Sequence, residues 1–231
     1  MVRTKILLAA IAVLLCPVLL LQAQQSVQEI KGQVTIGRHK VKLEAGQLYE
    51  FVLDNPHDFD LMVDLEEAPP LIMMGKNLRD DRVFFLPDQT DNYHLFVFPG
   101  LGFPQQATFK YNLKIKPIAL AKQPLLDVKS QWTNKDDIYK RDWQNYHKSY
   151  RLQLKAGKIY LFDLIDGGSD TDPYLFLEDA AGKVVAKDDD SGGDLNSRLI
   201  FVPEKTAEYR VIATTLEKAT GNFNLKVRQA D

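Results

Sequence analysis

The chain has 231 residues and a formal net charge of −2, with 45% hydrophobic and 26% charged residues. Its lysines and arginines are scattered rather than clustered, which excludes a nucleic-acid footprint. The single cysteine, Cys16, excludes a disulfide framework, a cysteine-ligated zinc site and, once an N-terminal leader is removed, any thiol chemistry.

In chain order, Met1, Arg3 and Lys5 precede an uncharged apolar run from Ile6 to Leu21 and a polar exit at Gln22-Ala23-Gln24-Gln25. This is the layout of a secretory signal peptide, with cleavage expected after Ala23. A spanning helix needs about 20 apolar residues, and this run is shorter and broken by Pro17. Val13-Leu14-Leu15 lacks the small residue that lipid-attachment boxes place before the cysteine. The expectation is a secreted or periplasmic protein with no membrane span in its mature part.

Compared with itself, the remainder repeats. Ile30-Lys31-Gly32-Gln33-Val34-Thr35 matches Val128-Lys129-Ser130-Gln131-Trp132-Thr133, and Leu43-Glu44-Ala45-Gly46-Gln47-Leu48-Tyr49 matches Leu154-Lys155-Ala156-Gly157-Lys158-Ile159-Tyr160. Arg82-Val83-Phe84-Phe85-Leu86-Pro87, followed by Thr90 and Tyr93, matches Arg198-Leu199-Ile200-Phe201-Val202-Pro203, followed by Thr206 and Tyr209. Tyr111-Asn112-Leu113-Lys114-Ile115 matches Phe223-Asn224-Leu225-Lys226-Val227. The offsets are 98, 111, 116 and 112. Block order is kept while loops differ, and the largest step places an insertion at residues 134–147, carrying Tyr139, Trp143 and Tyr146. Such an aromatic insertion either binds a ligand or packs over its own sandwich.

Within each copy the segments are short and alternate, as in Tyr150, Leu152 and Leu154 against Arg151, Gln153 and Lys155. Period two marks half-buried antiparallel strands. The expected architecture is all-β: two tandem antiparallel, jelly-roll-like β-sandwiches. The first spans residues 24–117, a linker 118–126, and the second 127–231, behind a signal peptide at 1–23. Trp132 aligns with Val34 and so is expected in the core.

The second copy resembles the bacterial pre-peptidase C-terminal domain. The motifs are Tyr150-Arg151-Leu152-Gln153-Leu154-Lys155-Ala156-Gly157, Asp172-Pro173-Tyr174-Leu175, Gly182, Asp188-Asp189-Asp190, Asn196-Ser197, Tyr209-Arg210-Val211 and Gly221-Asn222-Phe223-Asn224-Leu225. The first copy looks like a degenerate member that keeps Ala45-Gly46 and Asn92-Tyr93. The resemblance implies a jelly-roll accessory module of exported proteins, with relatives in collagenases that bind matrix protein and calcium.

Acidic residues gather once. A turn at Asp179 to Gly182 between strands 173–178 and 183–187 would pair positions summing to about 361 in a regular hairpin, so that Asp172 faces Asp189. Asp170, Asp188, Asp190, Asp194 and Asn196 lie nearby in sequence. Opposed like charges are destabilising unless neutralised, and a hard cation, calcium outside the cell, is the simplest remedy. The plainer reading is a set of Asx turns whose carboxylates cap backbone N–H groups. The spacing is not that of an EF-hand, and the first copy has Met73-Met74-Gly75-Lys76-Asn77-Leu78 instead, so a cation site is expected once.

No catalytic constellation assembles. Ser191 lacks a nucleophile elbow, and His39, His57, His94 and His147 are scattered without metal-ligand spacing. The expected function is an exported, non-catalytic binding module for a protein or polysaccharide, with calcium as the one cofactor considered. The alternative is a structural or inhibitory envelope protein docking onto a partner enzyme through an edge strand.

Overall fold

The computed structural model describes residues 27–34, 37–54, 59–65, 82–99, 109–140 and 144–230. The signal segment, His57, the 73–78 stretch and Trp143 lie outside the described residues. Among the described residues no helix is long and apolar enough to cross a membrane.

In the first copy, β1 (Gln28–Val34), β7 (Phe109–Ile118), β3 (Leu48–Asp54) and β5 (Arg82–Phe85) form one sheet in that order. Facing it, β2 (Gly37–Leu43), β6 (Asp91–Pro99) and β4 (Phe59–Leu65) form the other. In the second copy, β8 (Leu126–Trp132), β17 (Gly221–Ala230), β12 (Ile159–Asp166) and β15 (Ser197–Phe201) make the first sheet. Its companion is β11 (Lys148–Leu154), β16 (Ala207–Thr215), β13 (Pro173–Glu178) and β14 (Val184–Asp188). With β8 and β11 to β17 numbered 1 to 8, the second sandwich runs 1-8-3-6 and 2-7-4-5, the jelly-roll order; with its strands numbered by their matches, the first runs 1-8-3-6 and 2-7-4, with no counterpart of strand 5 among the described residues. All pairs are antiparallel, as the alternation predicts.

Two of the four matched blocks carry the same hydrogen bonds in both copies. Gly46 and Gly157 both sit at φ +72°, a region that only glycine adopts without strain. Their N–H groups donate to the Pro87 and Pro203 carbonyls at 2.8 and 2.9 Å. The neighbouring Ala45 and Ala156 N–H groups donate to the Thr90 and Thr206 hydroxyls, each at 2.9 Å. The Tyr49 and Tyr160 hydroxyls accept from the Glu44 and Lys155 N–H groups at 3.0 and 2.9 Å. The Tyr93 and Tyr209 hydroxyls donate back to the carbonyls of Gln89 and Lys205 at 2.9 and 3.2 Å. One turn, tied to one tyrosine-bearing corner, is thus built twice.

Each sandwich has its own core. Tyr49, Phe51, Leu95, Leu113 and Ile115 fill the first. Trp132, Phe162, Leu175, Val211 and Leu225 fill the second, each side chain worth about 1.5–3 kcal/mol of burial. Trp132 is a core residue: it is 1% exposed, stacks on Phe223 and donates its indole N–H to the Ala213 carbonyl at 2.9 Å.

A third cluster joins the copies. Leu48, Leu86 and Ile118 of the first meet Ile159, Leu161 and Ala230 of the second, so the outer faces of the two 1-8-3-6 sheets pack on one another. This accounts for β12, where Ile159 to Leu164 is buried without alternation. Residues 118–126, expected as a linker, begin at Ile118, the last residue of β7 in the first copy, and then run along the second: Leu120 bridges Ala230, Ala121 N–H donates to the Gln229 carbonyl, and Leu126 opens β8.

Ion pairs flank that seam in both copies. Asp163, 5% exposed, accepts from Arg198 Nε at 2.7 Å and Arg228 Nη2 at 3.1 Å. Glu50 accepts from Arg82, with Lys116 at 3.5 Å. The bases occupy matched positions, whereas the acid has moved two residues along the third strand: Asp163 aligns with Val52, and Glu50 with Leu161. Arg198 also crosses the seam to Asp88 at 2.8 Å. Burial would lower the pKa of Arg198, but Asp163 and Asp88 outweigh it and raise it.

The aromatic insertion folds over its own sandwich. β9 (Ile138–Tyr139) and β10 (Asn145–Tyr146) pair with each other, and Tyr139 packs with Tyr174, Phe176 and Ile212 on the outer face of the 2-7-4-5 sheet. The Tyr139 hydroxyl donates at 2.7 Å to Glu178, which is fully buried and also paired with Arg210. Asn145 fastens the arm through its side-chain amide, which donates to the Thr215 carbonyl at 2.6 Å.

Candidate metal centre at the tip of the second sandwich

The acidic tip is made by three chain segments: Asp172 leading into β13, Asp189 and Asp190 leaving β14, and the turn 191–196 that returns to β15. The hairpin is not regular. Pairs sum to 363 from Leu175↔Asp188 to Leu177↔Ala186 and to 362 at Glu178↔Val184, with a bulge between Leu177 and Glu178. The expected register of 361 is therefore corrected by two residues along most of the hairpin. Asp172 and Asp189 still converge, both lying beyond the ladder.

Asp172, Asp189 and Asp190 each present a carboxylate oxygen, and the three oxygens lie within 4.8 Å of one another. Oδ1 of Asp172 and Oδ1 of Asp189 are buried without a hydrogen-bond partner. Burial, and then Asp190, Asp172 and Asp188, push the Asp189 carboxyl up to about 6. Asp172 is raised by burial, then by Asp190 and Glu217. No lysine or arginine contributes to either shift. Among the described residues this is the one group of three such ligands, and the first copy's counterpart loop lies outside them.

The other predicted ligands hold the tip in shape. Asp188 Oδ2 accepts from the Ser191 and Arg198 N–H groups at 3.1 and 2.8 Å, an Asx-type cap that joins the tip to the clasp at the seam. Asn196 accepts from Asp166 N–H at 2.8 Å and donates to the Gly193 carbonyl at 2.9 Å. Asp170 and Asp194 are exposed and occupy left-handed turn positions, at φ 54° and 51°. Gly192 is required there, since a Cβ would lie 2.6 Å from the Asn196 carbonyl oxygen.

Two acids were not anticipated. Asp166 accepts from Gly168 and Ser169 N–H at 2.8 and 2.9 Å and from the Thr171 hydroxyl. Burial would raise it, but these bonds outweigh burial and lower its pKa. The Asp166-Gly167-Gly168-Ser169 string is the signal for such a turn. Glu217 acts on Asp172 because β16 pairs with β13, bringing Thr215 opposite Pro173. No local pattern announces that approach.

The described histidines are engaged elsewhere. His39 Nε2 bonds to the Tyr111 hydroxyl, His94 accepts from Arg38 at 2.9 Å, and His147 Nδ1 donates to the Asp137 carbonyl at 2.9 Å.

No family model matches the chain, and a search of curated proteins finds no similar sequence. Among solved structures it is similar to the VP2 subviral particle of infectious bursal disease virus, at 8% identity and a TM-score of 0.26, over 89% of this chain and 71% of that one. It is also similar to the stem and receptor-binding domain of spike protein P1 from bacteriophage PM2, at 7% identity and a TM-score of 0.24, over 90% of this chain and 97% of that one.

Proposed function

We propose that the chain is an exported, non-catalytic binding module whose second sandwich, akin to a pre-peptidase C-terminal domain, holds a calcium ion at its acidic tip. The carrying observation is the pair of buried, partnerless oxygens on Asp172 and Asp189, with Asp190 beside them and no base contributing to their shifts. Oxygen-only ligands suit a hard cation, and calcium accommodates such an irregular set. When bound, the ion supplies charge neutralisation and rigidity. Asp188 and Asn196 hold the loop, and Asp172 is fixed by Leu216 N–H, which donates to its carbonyl at 2.8 Å.

Binding rather than catalysis is supported by the engaged histidines and by the position of Ser191, whose N–H caps into Asp188 on an exposed turn. Calcium at saturating excess over a chelator should raise the unfolding temperature, because an ion that binds only the native state stabilises it. Asp189→Asn should abolish the rise. Equal unfolding temperatures in calcium and chelator would end the proposal.

The protein-docking reading has its own support. β14 and β15 are both terminal strands of their sheets, and such edges are templates for a partner's extended segment.

A further inference from the structure

A groove of about 880 Å3 opens where the two copies meet, lined by Arg82 and Phe84 of the first and by Val184, Ala186, Ile200 and Val202 of the second. It lies along the side of β15 on which no described strand pairs. Arg198 donates its backbone N–H to the Asp188 carboxylate at 2.8 Å instead of across to β12, so Asp163↔Arg198 is a non-hydrogen-bonded pair. Pair types alternate along an antiparallel ladder, so Leu161↔Ile200 is of the same type. The N–H and C=O of Ile200 therefore point away from β12, toward the groove.

The charges around the groove are unequal in their freedom. Arg82 is held by Glu50, and Asp179 Oδ1 accepts the N–H groups of Ala181 and Lys183 in its own turn. Glu204 is engaged. Lys183 and Lys205, which also line the groove, have no carboxylate partner among the described residues. The Arg82 guanidinium lies over the Phe84 ring at 5.1 Å, so that ring face is not free to stack on a sugar.

We infer that this groove takes an extended, acidic peptide segment of a protein partner, which adds to the free edge of β15. Main-chain bonds to Ile200 would supply register, alternate apolar side chains would enter between Phe84 and Val202, and a carboxylate would meet Lys183 and Lys205. The inference rests on the binding-module reading and selects protein over polysaccharide within it.

The test is a fluorescence-anisotropy titration of the mature chain with a capped, labelled octapeptide of alternating valine and glutamate. Two controls are used: the same peptide with lysine for glutamate, and the glutamate peptide N-methylated at alternate residues. Saturable binding of the glutamate peptide alone is expected, together with slowed amide exchange at Ile200. Lys183→Glu with Lys205→Glu should weaken it by about tenfold or more. Absence of saturable binding, or binding indifferent to N-methylation or to the charge reversal, overturns the inference. Calcium-dependent stabilisation measured on the same preparations separates the two readings: if it persists, a failed titration retires the groove and not the module.

Discussion

The two copies share a strand order, a glycine turn and a tyrosine corner, and they differ in what was added to that frame. In the second copy an arm covers the outer face of one sheet and three carboxylates crowd one tip. The seam shows the difference most clearly. Both copies place two bases at matched positions, but the acid between them is Glu50 in one and Asp163 in the other, two residues apart on the third strand. What is retained is a charge balance on one face of a sheet, and not a particular residue at a particular position.

The largest expected effect breaks that balance on one side. Asp163→Ala leaves Arg198, whose side chain is only 13% exposed, with the exposed Asp88 as its remaining described carboxylate, and should cost about 3 kcal/mol. Glu50→Ala should cost less, about 1–2 kcal/mol, since Arg82 and Lys116 are 35% and 41% exposed and can hydrate. Denaturant unfolding of both variants checks the order, and equal losses would contradict the assignment of the better-buried acid.

The shared turn gives a symmetric prediction. Gly157→Val and Gly46→Val force a β-branched residue to positive φ and should each cost about 1–3 kcal/mol, whereas Lys155→Ala should stay within about 0.5 kcal/mol. Thermal unfolding decides it; a glycine variant as stable as Lys155→Ala would refute the shared turn. In the arm, Tyr139→Phe removes the hydroxyl donor to buried Glu178 and should cost about 1–2 kcal/mol. Faster amide exchange in the arm would accompany it, and unchanged stability would detach the arm from the sheet it covers.

The tip has a pH signature. Asp189 is raised to about 6 in the folded chain, against about 3.9 unfolded. A folded pKa above the unfolded one contributes stability below about 4 that is lost as pH rises through about 6. Calcium-free protein should therefore lose stability across that window, and calcium should restore it increasingly as pH rises through it. Asp189→Asn should flatten both responses, and a calcium response equal at pH 4 and pH 7 would exclude the tip as its origin.

The sandwich fold was readable because β11 alternates cleanly and because four blocks recur in order. The docking of the copies was not anticipated, although the unbroken apolar run Ile159-Tyr160-Leu161-Phe162 is the pattern of a sheet buried on both faces. At the tip, the approach of Asp172 to Asp189 was expected for the wrong register: the turn shifts the pairing by one residue and the bulge at Leu177 and Glu178 by one more, and neither leaves a mark in composition. Asp188 and Asn196 were expected as ligands; their side chains accept backbone N–H groups, contacts set by which N–H groups the turn brings to them. Glu217 arrives from β16, far along the chain, and a hairpin pattern carries no information about it.

The most direct measurement of the cation claim is a crystal structure grown in millimolar calcium. The account predicts one ion per chain, about 2.3–2.6 Å from carboxylate oxygens of Asp172, Asp189 and Asp190, and none in the first copy. A tip without an ion under those conditions, or a second ion in the first copy, would contradict it.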